Sequence, residues 1–185
     1  MHNWTNREME SPCQWFAMRA TYKRELIARD YLMGRGIEVF VPLKKVVKEV
    51  RGIKRKLTVP AINSLIFVHA RKEELQEVKF GVDYLQYLTR KLDGRSIPII
   101  VPDRQMEHFR QVVEDDTIEK TFYAPGELDL AKGTKVRVHG GPMDGIEGVL
   151  LKVKGKRARQ FTMEVEGTIA LSTKVENFHL IEVVE

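Results

Sequence analysis

The chain has 185 residues, 43% of them hydrophobic and 31% charged, with a formal net charge of +5. That is enough for one or two small domains with cores of their own under a heavily solvated surface. No apolar run approaches the roughly 18 residues of a membrane helix, and the polar start MHNWTNREMESP is no signal peptide, so a soluble cytoplasmic protein without membrane contact is expected. Cys13 stands alone, which leaves no disulfide framework and no zinc site, and the five histidines show no ligand spacing. No metal and no cofactor are expected.

The charge is unevenly placed. Between Trp15 and Pro60 twelve Lys/Arg face four Asp/Glu, a local +8, so the remainder is net −3. A basic excess confined to a quarter of the chain suggests a footprint for a polyanion, although a solvated face has the same composition.

Taken in chain order, residues 1–13 read as a disordered lead-in that carries Cys13 as a reduced thiol. WFAMRA (Trp15 to Ala20) alternates as a strand. From Tyr22 to Gly34 the residues Ile27, Ala28, Tyr31 and Leu32 share a helical face, and Gly34 and Gly36 end the helix. Ile37 to Leu43 is a second strand. Val46 to Pro60 reads as a basic hairpin turning near Arg51-Gly52. Ser64 to Ala70 is a buried strand, Lys72 to Phe80 a short helix and Tyr84 to Leu88 another strand. Pro102-Asp103 opens a third helix with Met106, Phe109 and Val113 inward.

Charge with Pro and Gly marks residues 114–128 as a linker, and residues 129–185 are all strand and turn. Val136 and Val138 alternate into a Gly140-Gly141-Pro142 turn, Asp144-Gly145 makes the next, and Val149 to Val153 is the following strand. The expected fold is therefore α+β: an α/β sandwich with a mainly antiparallel sheet over residues 14–113, then a small all-β barrel over 129–185.

Enzyme chemistry is not expected. The Gly140-Gly141 cluster lacks the Gly-Lys-Ser/Thr and the helix of a phosphate loop, and its glycines suit a turn that needs positive φ. No nucleophile elbow occurs, and Glu114, Asp115 and Asp116 have no partner ligands returning from elsewhere in the sequence.

Two features suggest binding instead. Lys44, Lys45, Lys48, Arg51, Lys54, Arg55 and Lys56 crowd into thirteen positions against Glu49 alone, with Arg19, Lys23 and Arg24 as a second patch. Such a hairpin is either a polyanion contact or an edge ribbon kept soluble by its charge. The second feature is apolar. Trp15, Ile66 and Val68 are assigned to the core, while Phe16, Leu65 and Phe67 are assigned the opposite parity. If helices cover one face only, these three form an exposed docking face; if both faces are covered, they are core.

From Trp15 onward the chain resembles the NusG family: a NusG N-terminal (NGN) domain, a linker and a KOW domain. The resemblance rests on Trp15-Phe16, Glu25, Phe40-Val41-Pro42, Phe67-Val68 and Ile97 to Pro102, and in the KOW motif on Gly133, Val136, Val138, Gly141, Pro142, Gly145 and Gly148. AMRATYKRELIARDYL, LIFVHA, YLQYLTR, IPIIVPDRQMEHF and VRVHGGPMDGIEGVLLKVKGKR look most like the UpxY-type antiterminators of capsular polysaccharide operons. Asn63-Ser64 departs from the Pro-Gly usual in housekeeping members.

The resemblance implies a non-enzymatic, monomeric elongation factor. Its first domain would sit on the clamp helices of the large RNA polymerase subunit and disfavour the paused state, suppressing pausing and termination. Phe16, Leu65, Phe67 and Tyr87 match the polymerase-facing positions. The hairpin lysines and arginines, with Arg19, Lys23 and Arg24, would lie near non-template DNA or nascent RNA, and the KOW domain would meet a termination factor or a ribosomal protein. An RNA-recognition module is a competing reading, weakened because SLIFVHA offers one aromatic where two or three are needed. A ribosomal protein is another, and it would ordinarily be more basic than +5.

Overall fold

The computed structural model describes residues 11–175 and 180–184. The expected lead-in lies outside the described residues over 1–10. β1 (Gln14–Ala20) passes through a 3-10 turn at Thr21–Lys23 into α1 (Glu25–Met33). Then come β2 (Glu38–Phe40), a ribbon of β3 (Leu43–Val50) and β4 (Ile53–Pro60), β5 (Leu65–Ala70), α2 (Lys72–Phe80) and β6 (Leu85–Tyr87). A second ribbon, β7 (Thr89–Leu92) and β8 (Arg95–Pro98), precedes β9 (Ile100–Val101) and α3 (Asp103–Glu114).

The first sheet is ordered β2-β5-β1-β6, with β9 also on β1, and every pairing is antiparallel. β1 is thus its central strand. Side chains directly opposite one another in an antiparallel pair share a face. The β1/β5 register sets Phe16 opposite Val68, Ala17 opposite Phe67 and Met18 opposite Ile66.

That register corrects the expected face assignment. Phe16 lies with Met18, Ile66 and Val68, in the cluster that includes Ala28 and Leu32 of α1 and Leu75 of α2. Trp15 lies with Ala17, Leu65 and Phe67 in the cluster of Met106, Phe109 and Val112 from α3. Helices cover both faces, so Phe16, Leu65 and Phe67 are core and not an exposed docking face; none exceeds 3% exposure. The rings of Phe67 and Phe40 each meet the edge of Phe109 with centroids 6.0 Å apart. Parity within one strand was legible, but the offset between two strands is set by their pairing.

The turn at Asn63-Ser64 keeps a conformation that suits glycine, and nothing in the structure explains the serine. Ser64 adopts φ 65, a left-handed conformation. Its N–H donates to the carboxylate of Glu25, which is 2% exposed at the start of α1. Through that hydrogen bond Glu25 fastens α1 to the turn entering β5.

Residues 114–128 are not all linker. β10 (Lys120–Tyr123) pairs with β14 (Ile169–Lys174), so the second sheet begins inside that segment. With β11 (Thr134–His139), β12 (Glu147–Leu151), β13 (Gln160–Val165) and β15 (Leu180–Val183) it forms an antiparallel sheet ordered β10-β14-β13-β12-β11-β15. Val136, Val138, Ile146, Phe161, Val165 and Leu171 are its buried centre. Gly140, Gly141 and Gly145 have φ of 87, 66 and 76 at the two turns. Gly148 serves a different purpose: a Cβ there would come within 2.5 Å of the Thr162 carbonyl oxygen and 2.7 Å of the Phe161 ring.

The packing sets the cost of two substitutions. Gly148→Ala should destabilise the C-terminal sheet by about 1–3 kcal/mol, since the colliding carbonyl is backbone; a urea melt followed by circular dichroism measures it. Phe67→Asp should unfold the first domain by leaving an unpaired charge in its core, at a cost of about 3–5 kcal/mol or more. A folded Phe67→Asp protein would contradict the β1/β5 register.

Candidate nucleic-acid interface

The β3/β4 ribbon turns at Arg51 and Gly52, with φ of 53 and 75, the geometry of a tight two-residue hairpin. Its register divides the charges between two faces. Lys44, Val46, Lys48 and Val50 of β3 stand opposite Val59, Leu57, Arg55 and Ile53. On the other face Lys45, Val47 and Glu49 stand opposite Thr58, Lys56 and Lys54. Lys54 therefore has an acid across from it, whereas Arg55 faces Lys48, a like-charge pair that weakens the ribbon.

The ribbon is exposed over most of its length. Lys45 forms an ion pair with Asp116 at 2.6 Å, and this holds the Asp116 carboxyl below the usual range. Among the described residues Lys44, Lys48, Arg51, Lys54, Arg55 and Lys56 make no ion pair. Lys44 and Lys48 join Lys23 on the wall of a groove of about 800 Å³ whose floor includes Leu26, Val46 and Phe122.

The second patch sits at the exit of β1. Arg19, next to the last residue of that strand, is its one exposed residue. The helix expected from Tyr22 starts only at Glu25, because Tyr22 and Lys23 hold left-handed backbone with φ of 59 and 56. The Arg24 guanidinium lies 4.9 Å from the Tyr84 ring centroid. The structure thus brings Lys23 beside the ribbon lysines, which their separation in sequence does not reveal.

Tyr87 is the half-buried member of the expected polymerase set. Its ring packs on Phe16 with centroids 5.5 Å apart, and the Lys79 ammonium stands 4.2 Å from its centroid. Burial, and then the Glu73 charge, push its phenol above the ordinary value.

α3 joins the two halves of the chain. Its apolar side carries the first sheet, and its polar side meets the C-terminal sheet. Gln105 Nε2 donates to the Glu164 carbonyl at 3.2 Å and Gln111 Nε2 to the Pro142 carbonyl at 2.7 Å. Arg90 of β7 pairs with Glu166 at 2.8 Å. The buried apolar residues under α3 and those of the C-terminal sheet form one continuous cluster. In the expected KOW motif Val136 and Val138 are core, the Gly145 N–H donates to the Val138 carbonyl at 2.8 Å, and Gly141 and Pro142 form the turn that meets α3. Gly133 approaches Val149 so closely that a Cβ would overlap it.

Lys120 fastens β10 to the end of α3. Its ammonium donates to the carbonyls of Val112, Val113 and Asp115 at 2.6, 2.8 and 2.6 Å, capping a helix C-terminus with a cation. Burial holds the ammonium below the usual lysine range, against the opposing pull of Asp115 and Asp116.

One cluster has the outline of a catalytic site. Cys13 Sγ lies 3.9 Å from His69 Nδ1, and Glu38 Oε2 lies 3.3 Å from the same nitrogen. A nucleophile–base–carboxylate relay uses the two different ring nitrogens. Here both partners approach one, and the thiol is pushed up by burial and by Glu74. Among the described residues no group of three or more His, Cys, Asp or Glu could hold a metal ion, and no helix is long and apolar enough to cross a membrane.

The geometry sets an α/β sheet layer, bearing an exposed basic ribbon, against a small antiparallel sheet, the two joined through α3. Residues 13–110 match the family described as "Transcription termination factor nusG", and the chain belongs to the NusG family, whose members are transcription factors that bind RNA polymerase. No curated protein matches the chain. A solved structure from a study of domain interaction in Thermotoga maritima NusG is similar at 16% identity, covering 88% of this chain and 93% of that one, with a TM-score of 0.46.

The Lys120 contact makes its own prediction. Lys120→Met keeps the aliphatic stem and strips three carbonyls of their donor, so stability should fall by about 1–3 kcal/mol. Guanidinium unfolding of the full chain reads this as a lower midpoint.

Proposed function

We propose that this chain is a specialised NusG-type elongation factor that docks on the clamp region of RNA polymerase and suppresses pausing and termination on a polysaccharide biosynthesis operon. Family membership supports the polymerase contact. The UpxY-like segments and the Asn63-Ser64 turn support the specialised role. The contact with nucleic acid is carried by one observation: a projecting ribbon with six cations that make no ion pair among the described residues, two of them facing each other across the strands. Such a ribbon is relieved by a polyanion.

In this reading non-template DNA lies along the β3/β4 ribbon and Lys23, with nascent RNA as the other candidate strand. Phe16, Leu65 and Phe67 shape the docking domain from inside, and Tyr87 reaches its surface. The C-terminal sheet, as a KOW domain, meets a termination factor or a ribosomal protein. A factor that binds the elongating state about a hundredfold better than the paused state shifts their balance by about 2.7 kcal/mol.

The ribbon claim is tested on a reconstituted elongation complex. Removing one lysine–phosphate interaction lowers the salt slope by about 0.7 on a single strand. Replacing Lys54, Arg55 and Lys56 together by Ala should therefore reduce the slope of log affinity against log salt by about 2, and equally on two non-template sequences. Parallel slopes for wild type and variant would reduce the ribbon to a solubility device. Weaker binding confined to one sequence would mean that it reads bases.

A further inference from the structure

Tyr22 is exposed over 82% of its surface, yet it and Lys23 both hold a left-handed backbone that side chains disfavour. Such strain persists where the surroundings over-determine it, and it clusters at ligand clamps. Here Thr21 supplies the constraint: its N–H and its hydroxyl both donate to the Tyr84 carbonyl, at 2.8 and 3.2 Å. The ring so projected is not packed into the core. Its charged neighbour is Arg24, whose guanidinium lies 5.6 Å from the Tyr22 centroid and 4.9 Å from that of Tyr84. The next residue, Lys23, lines the groove together with Lys44 and Lys48. None of Arg19, Lys23, Lys44 and Lys48 makes an ion pair among the described residues.

We propose that Tyr22, with Arg24 beside it, is a stacking platform for one base of single-stranded DNA whose phosphates run along Lys23, Lys44 and Lys48. The proposal rests on the reading that this chain binds nucleic acid, and it adds which residue meets a base and how. An exposed aromatic face beside a row of unneutralised cations is the arrangement that holds single strands, because every base offers a π-face and every nucleotide a phosphate. A duplex keeps its bases stacked and has none to offer Tyr22. An acidic peptide would use the lysines but has no regular planar group for the ring. The strand assigned is DNA, following the reading above in which non-template DNA lies along the ribbon.

The test uses the full chain and a fluorescein-labelled oligothymidylate of about twelve nucleotides, within the usual site size, with anisotropy read over a range of salt. Tyr22→Gly suits it because glycine adopts positive φ freely, so the variant should melt no lower than wild type. It should bind about tenfold more weakly with an unchanged salt slope, while Tyr22→Phe keeps wild-type affinity. The Lys54/Arg55/Lys56→Ala variant should instead show a shallower slope. Wild-type affinity in Tyr22→Gly, with the triple variant still impaired, overturns the platform and leaves the nucleic-acid reading standing. Duplex bound as well as single strand by the wild type overturns the single-strand platform, and binding of neither by the wild type overturns both readings. Tighter binding of the matching oligouridylate overturns the assignment to DNA, and displacement of the DNA by polyglutamate that depends on Tyr22 overturns stacking.

Discussion

The pairing of β1 with β5 is the constraint on which the molecule turns. β1 is hydrogen-bonded on both sides, to β5 on one and to β6 and β9 on the other, and it is buried on both faces. Its register decides which aromatic residues go under α1 and α2 and which go under α3. A slip of one residue would send Phe16 toward α3 and Ala17 toward α1, exchanging a large side chain for a small one in both clusters at once. The cores on the two faces therefore hold the register, and the register holds the ends of β1, where Arg19, Tyr22 and Arg24 emerge.

α3 carries that order into the rest of the chain. Its apolar side is committed to the sheet through Met106, Phe109 and Val112, which leaves its amide side chains for the C-terminal sheet. Glutamine amides bonded to carbonyls and one ion pair thus join the two sheets beside a buried apolar cluster that runs continuously from one to the other. Lys120 strengthens this joint by binding the carbonyls that the last turn of α3 leaves without partners. The segment after α3 is thus structural over part of its length: β10 belongs to one domain and Lys120, within it, grips the other.

The charge of the ribbon is meaningful because of what the fold withholds from it. Elsewhere some cations are neutralised, Arg110 by Glu38, Arg137 by Glu147 and Glu182 and Lys132 by Asp129, while others, such as Lys91, Arg95 and Lys154, make no ion pair among the described residues; what marks the ribbon is the density of its cations. On β3 and β4, among the described residues, only Lys45 is so treated, by an acid from the segment after α3. The acids that balance the chain lie on other elements, so the ribbon keeps its charge toward solvent. Surface ion pairs are individually weak, but leaving a row of cations unpaired within a chain of nearly balanced charge concentrates the field in one place.

Much of this was legible in the chain itself. The helices of the first domain, the Arg51-Gly52 turn, the basic hairpin and the alternation of Val136 and Val138 all follow from local patterns: periodicity, turn chemistry and charge density act over a few neighbouring residues. The β7/β8 ribbon was also within reach, since Asp93-Gly94 is a hairpin signal. Other features belong to the tertiary structure. Which face Phe16 shares with which residues of β5 depends on the offset between distant strands. Burial of Phe16, Leu65 and Phe67 depends on helices arriving from both sides. The strand within residues 114–128 exists because β14 offers it an edge. Tyr22 leaves the helix that its neighbours suggest because Tyr84, 63 residues beyond Thr21, holds that threonine in place. The sequence by itself determined most of the elements and the charge they carry; β10, pairing, coverage and the approach of Lys23 to the ribbon were decided by contacts between distant segments, which no local pattern encodes.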